Sequence, residues 1–321
     1  MVNRRGSSAL TGLLLLAAVA CGSSGGGGAG PADAAVDGPT PTDGALDAST
    51  DTSVDAPSET ASTSDAPADV RGDANAPDAS DGGGPAQQMA IPMYVDPTAS
   101  ASLWTQVYAA APTVALLVAN PASGPGTAAE AEYTQAIASA HAAGQSVVGY
   151  VHTSYAMRPI AQVEADVDAW YSFYPDVDGI FVDETSTDAT TVTPYYQPLF
   201  AHVKAEPGTR AHTVVINPGT MIDESFMQAA DVVVTFEDTY ANYTNGSYPP
   251  NPTWTANYPR WRFWHLVLSA ATTADMQNAV TIARQRNVGT VYVTDQGPAT
   301  AYQQIVTGAY WQAELAAVQA P

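Results

Sequence analysis

The sequence predicts an α/β protein whose folded part is a single (β/α)8 TIM barrel, and three observations support this prediction. Eight short apolar runs recur after residue 88, helical patterns separate most of them, and nearly every run ends in a polar residue. Uninterrupted apolar runs are typical of parallel strands that are covered on both faces. Their alternation with helices over roughly 230 residues favours a barrel.

The eight predicted strands are rich in Val, Ile, Tyr and Phe, which favour extended backbone. A doubly wound open sheet is the competing architecture, but it normally shows a Gly-rich phosphate-binding turn after an early strand. No such turn and no Walker motif occurs in this chain. The predicted strands span residues 91–95, 114–119, 146–151, 179–183, 213–217, 232–237, 262–268 and 290–295.

Three of the predicted helices have clear sequence signals. Residues 126–144 are Ala-rich and end in Gly144, a common helix stop. Residues 159–174 place their apolar side chains on one face and have Pro159 near the start. Residues 273–289 are amphipathic and carry two arginines in the last turn. The sixth connection is rich in proline, so we expect a loop with little helix there.

The first 21 residues are expected to be a signal peptide of the bacterial lipoprotein type. Arg4 and Arg5 precede a short apolar stretch that ends at Cys21, the only cysteine of the chain. In such signals the cysteine is lipidated and becomes the mature N-terminus. This predicts a membrane-anchored protein of the bacterial cell envelope, and ordinary secretion with cleavage near Ala20 is the alternative.

Residues 22–88 are expected to form a disordered linker. Gly, Ala, Ser, Thr, Pro and Asp dominate this segment, and it contains no aromatic residue. It cannot bury enough apolar area to offset the entropy of ordering. Acidic residues recur about every four positions, and their mutual repulsion extends such a chain. The predicted folded domain is therefore residues 89–321.

The charge and the polar composition exclude several kinds of partner. The formal net charge is −22, with 10 Lys and Arg against 32 Asp and Glu. This disfavours nucleic acid, which needs a basic binding face. One cysteine and five scattered histidines offer no metal-ligand spacing, and there is no nucleophile elbow. We therefore expect no metal, no cofactor and a monomer.

The expected site lies at the carboxyl ends of the strands, because barrel enzymes carry their catalytic groups there. Asp183 and Glu184 follow the fourth strand, and Glu237 ends the sixth. Adjacent strand residues point to opposite faces, so Asp183 and Glu184 can share one cleft only if the chain leaves the strand between them. Further polar residues in strands or at their ends are Asp96, Asn120, His152, Asn217, Asp238, His265 and Asp295.

Two or three carboxyl groups around one cleft suit glycoside hydrolysis. One carboxyl protonates the leaving oxygen while another attacks carbon or activates water. Repulsion and partial burial would raise the pKa of one of them, which makes it a usable acid. Aromatic residues that could stack on sugars, although packing accounts for at least half of them, are Tyr94, Tyr150, Tyr155, Tyr240, Trp254, Tyr258 and Trp264.

Several motifs resemble the spherulation-specific family 4, or spherulin-4-like, proteins. The two longest are "GYVHTSYAMRPIAQVEADVDAWY" (149–171) and "VDGIFVDET" (177–185). The likeness covers residues 91–311 and includes neither the leader nor the linker. The shorter motifs that extend it are "IPMYVDP", "LLVANPASGPG", "VVINPGT", "VVVTFED" and "VYVTD".

The resemblance implies a (β/α)8 glycoside hydrolase similar to endo-acting enzymes that cleave galactosamine-containing exopolysaccharide. It implies catalytic roles for Asp183, Glu184 and Glu237, and a substrate groove lined by "HTSY" (152–155), which contains Tyr155, and "NPGT" (217–220). The leader and linker are not part of the fungal pattern, so the natural polymer stays open. A non-catalytic carbohydrate-binding or structural envelope protein on the same scaffold is the alternative function.

Overall fold

The computed structural model describes residues 87–246 and 251–321, so the predicted signal peptide and nearly all of the predicted linker lie outside the described residues. Eight parallel strands close into a barrel in chain order, which confirms the predicted fold. The strands are β1 (Gln88–Met93), β2 (Val114–Ala119), β3 (Ser146–His152), β4 (Gly179–Asp183), β5 (Thr213–Ile216), β6 (Val232–Thr239), β7 (Phe263–Leu268) and β8 (Thr290–Val293).

Strand boundaries agree with the sequence for β2 and β4 and differ most for β1. Strand β1 begins three residues before the predicted start and ends two residues before the predicted end. The reason is barrel closure: Gln88 and Met89 pair with Thr290 and Val291 of β8. The sequence of β1 alone does not indicate that this strand pairs with one about 200 residues further along the chain.

Among the described residues, seven α-helices connect the strands or follow the last one. The connection between β6 and β7 contains one short helix and two single helical turns among its described residues, in agreement with the expected loop. No helix in the described part of the chain is both long and apolar enough to cross a bilayer. The helices are α1 (Ala101–Tyr108), α2 (Ala131–Ala143), α3 (Ile160–Phe173), α4 (Gln197–Ala205), α5 (Tyr240–Thr244), α6 (Thr273–Gln285) and α7 (Gly308–Gln319).

The barrel wall around β3 is fixed by the close approach of Trp170 to Gly149. A Cβ atom at Gly149 would lie only 2.3 Å from the Trp170 ring, so glycine is required for α3 to pack here. The Trp170 indole N–H donates to the Tyr150 carbonyl oxygen at 2.8 Å. Inside the barrel, the Tyr150 ring lies 6.3 Å from that of Phe181, which in turn lies 5.7 Å from Trp264. These contacts hold the Tyr150 side chain on the inner face.

A β-bulge in β6 decides which of its residues face the barrel interior. Val234 pairs with Trp264, but Phe236 pairs with the next residue of β7, His265. One extra residue, Thr235, is therefore inserted on β6, and the alternation of faces shifts by one position after it. As a result Glu237, rather than Phe236, points inward toward the carboxyl ends of the strands.

Candidate active site

Asp183 and Glu237 meet at the carboxyl end of the barrel, here called the mouth, and a single side chain bridges them. The Asn217 amide nitrogen donates to Asp183 Oδ1 at 2.8 Å and to Glu237 Oε2 at 2.6 Å. The two carboxylate oxygens are therefore separated by no more than the sum of these distances. Strands β4 and β6 and the end of β5 thus bring together three residues that the sequence predicted for the site.

The orientation of the Asn217 amide is fixed by the turn that follows β5. Its Oδ1 accepts the Gly219 backbone N–H at 3.0 Å, so its NH2 group must face the two acids. Gly219 adopts φ 65°, a left-handed conformation that glycine reaches without strain. Its carbonyl oxygen accepts the Glu237 backbone N–H at 2.9 Å. The turn therefore positions both the amide and one of the acids.

Two tyrosines complete the hydrogen bonding of the acids. Tyr150 donates to Asp183 Oδ2 at 2.9 Å, and Tyr302 donates to Glu237 Oε1 at 2.7 Å. The Tyr94 ring lies between them, with centroids 5.6 Å from Tyr150 and 5.4 Å from Tyr302. Tyr302 is not among the residues that the sequence predicts for the site, because it lies in the loop after β8, away from every strand end. No local sequence pattern marks it.

The electrostatics of the pair favour one shared proton. Burial raises the pKa of Asp183, and the negative charge of Glu237 raises it further. Burial likewise raises the pKa of Glu237, against the effect of the hydrogen bonds from Asn217 and Tyr302. No Lys, Arg or His of the described residues forms a salt bridge with either acid. Two close carboxyl groups without a cation are best accommodated when one is protonated and one ionised.

Glu184 diverges from its neighbour at the end of β4. The chain turns there into a left-handed conformation with φ 51°, so it does leave the strand between the two acids. The Glu184 backbone N–H lowers the pKa of the Asp183 carboxyl group, against the effect of burial. Its side chain turns to His152, with Oε2 3.4 Å from Nδ1, and is about one-third exposed. Glu184 and His152 therefore lie at the rim of the mouth, outside the hydrogen-bonded acid pair.

Three other predicted site residues form hydrogen bonds within loops instead. Asp96 is exposed, and its Oδ1 accepts the backbone N–H groups of Thr98 and Ala99 in the turn before α1. Asn120 Oδ1 accepts the Gly124 backbone N–H at 3.0 Å. Asp295 is exposed and accepts a hydrogen bond from the Gln296 side chain. The structure brings none of them into contact with Asp183 or Glu237.

The predicted placement of Asp238 and His265 at the mouth needs correction. The bulge in β6 turns Asp238 away from the barrel interior, where its carboxylate accepts hydrogen bonds from Thr239 and Asn242 at the start of α5. His265 is fully buried, with its ring nitrogens at 2.7 Å from Tyr243 Oη and 3.0 Å from Thr235 Oγ1. Its contact with Tyr243 of α5 shows that it lies in the outer layer of the barrel.

The predicted aromatic residues separate into two groups. Tyr94 and Tyr150 belong to the acid cluster, and Tyr155 is exposed at the rim. The others are packing residues, as expected for about half of them. Trp264 fills the barrel interior, Tyr240 bonds Asn278, and Trp254 and Tyr258 pack on Phe263.

One group of potential metal ligands occurs among the described residues, and it lies outside the mouth. Asp168, His202 and Glu206 offer ligand atoms within 4.8 Å of one another. They belong to α3 and to the end of α4, and His202 Nε2 is 2.6 Å from Asp168 Oδ1. This group is separate from the acid pair, whose polar contacts are an amide, two phenols and a backbone N–H.

Comparison with known proteins identifies the family. The family model "Spherulation-specific family 4" matches residues 88–318. The chain belongs to this family. Spherulin-4 from Physarum polycephalum is 32% identical to it over 241 residues, which are 73% of this chain and 70% of the relative. The family match covers the whole barrel, so the acid pair lies within the family domain.

A solved structure of similar fold supports the same assignment. Sph3 from Aspergillus clavatus, crystallised in complex with GalNAc, is 28% identical, with a TM-score of 0.63. The alignment covers 74% of this chain and 99% of Sph3. This spherulation-specific family 4 chain therefore shares its barrel with a protein whose structure was determined with an amino sugar bound.

Proposed function

We propose that this protein is an endo-acting glycoside hydrolase that cleaves a polysaccharide containing galactosamine or N-acetylgalactosamine. The observation that supports it most is the partly buried Asp183–Glu237 pair bridged by Asn217. A protein that only binds carbohydrate has no need for two close carboxyl groups with raised pKa values. The GalNAc bound in the Sph3 structure supports an amino sugar as the recognised unit.

The separation of the two acids supports a retaining mechanism. Retaining glycosidases hold their carboxyl groups about 5–5.5 Å apart, whereas inverting enzymes need about 6.5–9.5 Å to admit a water molecule. The Asn217 bridge restricts the nearest oxygens of Asp183 and Glu237 to the shorter range. A nucleophilic carboxylate would then attack the anomeric carbon while the other carboxyl group protonates the glycosidic oxygen, which departs with the rest of the chain. In the second step that carboxylate would take a proton from water, which attacks the anomeric carbon and releases the sugar.

The hydrogen bonds favour Asp183 as the nucleophile. Asp183 accepts hydrogen bonds from Tyr150 and Asn217, and the nearby Glu184 backbone N–H also lowers its pKa. Glu237 accepts two, from Asn217 and Tyr302. Because hydrogen-bond donors stabilise the ionised form, we assign the carboxylate role to Asp183 and the role of general acid and base to Glu237, although the charge of ionised Glu237 opposes the ionisation of Asp183. Glu184 assists through its backbone N–H.

The direct test measures cleavage and binding together. Wild type, Glu237→Gln and Asp183→Asn would be incubated with polysaccharides containing GalNAc or galactosamine, and the products analysed by mass spectrometry. We expect wild type to release a range of oligosaccharides, which indicates endo-action, and both variants to bind the polymer without cleaving it. The anomeric configuration of the first product, followed by NMR, tests retention. Binding without cleavage by wild type would favour the non-catalytic alternative.

We also propose that the protein is a lipoprotein of a bacterial cell envelope, anchored through Cys21. The position of the only cysteine directly after a short apolar stretch supports this proposal. Expression of wild type and Cys21→Ala, followed by membrane fractionation and labelling with a clickable fatty acid, tests it. Labelled wild type in the membrane fraction and unlabelled, released variant are the expected results. Equal release of both proteins would indicate ordinary secretion.

A further inference from the structure

Two large hydrophobic side chains are exposed in the described part of the chain, and they lie two residues apart. Tyr155 is 54% exposed and Met157 is 77% exposed. Both belong to the loop between β3 and α3, which leaves the barrel at the mouth. Exposed apolar side chains beside a candidate catalytic cleft are typical of a ligand-binding surface.

The backbone of this loop adopts an unfavourable conformation. Ser154, Tyr155 and Ala156 are consecutive residues with φ 48°, 59° and 66°, in the left-handed region. Such a conformation costs about 1–2 kcal/mol for each non-glycine residue. Burial of Tyr155 and Met157 does not offset this cost, because both side chains remain largely in solvent.

Specific contacts hold the loop in place. The Tyr155 backbone N–H donates to the Glu184 carbonyl oxygen at 2.7 Å, which ties the loop to the residue after Asp183. Arg158 anchors the other end through its backbone N–H to Thr153 O at 3.0 Å and through a 2.7 Å salt bridge with Asp166. These contacts fix the backbone of the loop and therefore the position of Tyr155.

Tyr155 lies at the rim of the mouth, because its backbone N–H is bonded to the carbonyl oxygen of Glu184, the residue that follows Asp183. An earlier residue of the loop, Thr153, is bonded through its backbone N–H to the Asp183 carbonyl oxygen at 3.1 Å. The exposed side chains of Tyr155 and Met157 are therefore carried by a loop that is attached to the strand end bearing Asp183. In agreement with this position, partial burial raises the pKa of the Tyr155 phenol, and the negative charges of Glu184 and of the acid pair raise it further.

We propose that Tyr155 and Met157 form a binding subsite that stacks on a pyranose ring of the polymer, next to the sugars that flank the cleaved bond. A pyranose has a face of C–H groups that packs on an aromatic ring and a thioether, while its hydroxyl groups stay in water. This inference rests on the proposed function and extends it. Only chains long enough to reach the subsite gain from it.

The experiment compares substrates of different length. Tyr155→Ala, Met157→Ala and the conservative variants Tyr155→Phe and Met157→Leu would be assayed on GalNAc-containing oligosaccharides from the disaccharide upward. We expect Tyr155→Ala to lower kcat/KM about tenfold on long chains, mainly through KM, and to leave the shortest cleaved chain unchanged. Met157→Ala should lower it about threefold, and the conservative variants should resemble wild type.

The outcomes separate this inference from the proposed function. A loss of equal size at every chain length, or no loss at all, would overturn the subsite while leaving the hydrolase intact. If wild type cleaves none of the oligosaccharides, the proposed function fails, and the subsite is tested by affinity for the same series. Affinity that rises with chain length and falls with Tyr155→Ala still supports it. Melting temperatures of the variants exclude a general loss of structure.

Discussion

The Asn217 amide nitrogen lies 2.6 Å from Glu237 Oε2 and is shared with Asp183, so one NH2 group serves both acids. Removal of this group in Asn217→Ala leaves two close, partly buried carboxyl groups without a common donor. We expect kcat to fall about 10²–10³-fold, as for the loss of one donor in other preorganised sites. Steady-state kinetics on the polymer measure the effect.

A matched control for this change is Asn120→Ala. Asn120 is also a strand-end asparagine, but its side chain accepts the Gly124 backbone N–H in the loop after β2. The Asn120→Ala substitution should lower kcat far less than Asn217→Ala does. Equal kcat values for the two variants would contradict the bridging role of Asn217.

Removal of the Tyr150 and Tyr302 hydroxyl groups should shift opposite limbs of the profile of kcat/KM against pH. The Tyr150 hydroxyl stabilises ionised Asp183, so Tyr150→Phe raises the pKa of Asp183 further. If Asp183 is the nucleophile, it must be ionised, and the acidic limb of kcat/KM moves to higher pH by about one unit. Tyr302→Phe raises the pKa of Glu237 in the same way. Because Glu237 acts in its protonated form, the alkaline limb of kcat/KM moves to higher pH.

The measurement is kcat/KM against pH for wild type and the two variants. Tyr171→Phe is the control, since the Tyr171 hydroxyl contacts His212 rather than the acids. If Tyr302→Phe shifted the acidic limb and Tyr150→Phe shifted the alkaline limb, Glu237 would be the nucleophile and Asp183 the general acid and base.

The neighbours Asp183 and Glu184 should respond very differently to neutralisation. Asp183→Asn removes the proposed nucleophile and should lower kcat by about 10³-fold or more. The Glu184 side chain faces His152 at the rim, and only its backbone N–H reaches Asp183. Glu184→Gln keeps that N–H, so we expect a loss of less than about tenfold. Comparable losses in the two variants would show that the Glu184 side chain takes part in the chemistry.

The sequence predicted the barrel because its strands are uninterrupted apolar runs of the right number and spacing. It also predicted the residues of the acid pair, since Asp183, Asn217 and Glu237 each end such a run. Parallel strands in a closed barrel bring their carboxyl ends to one place. Strand order alone therefore brings the ends of these three strands together at the mouth.

The sequence could not predict which strand residues turn outward. Nothing in "VVVTFED" marks the bulge at Thr235, yet this one residue places Glu237 inside and Asp238 outside. His265 points outward because its neighbour Trp264 in β7 points into the barrel, and the sequence does not show which of the two faces inward. Tyr302 was equally hidden, because it reaches Glu237 from a loop 65 residues further along the chain.

A buried acid far from the acid pair makes stability depend on pH. Glu314 of α7 is fully buried, and its Oε1 accepts the Val293 backbone N–H at 2.8 Å. Burial raises the pKa of Glu314 to about 8; the hydrogen bond from Val293 opposes this, and the charge of Asp295 adds to it. The folded protein therefore binds this proton more tightly than the unfolded chain does. Stability should fall as pH rises from about 4.5 to about 8.

Glu314→Gln keeps an oxygen for the Val293 N–H and removes the ionisation. We expect wild type and variant to have similar stability near pH 4, and the variant to be more stable above pH 8, by about 5 kcal/mol at most. Urea unfolding at both pH values measures the difference. Asp183 and Glu237 also have raised pKa values, but they are present in both proteins, so the comparison isolates Glu314. The exposed substitution Glu224→Gln is the control and should leave the pH dependence of wild type intact. A Glu314→Gln variant that loses stability with pH as steeply as wild type would show that Glu314 is not protonated in the fold.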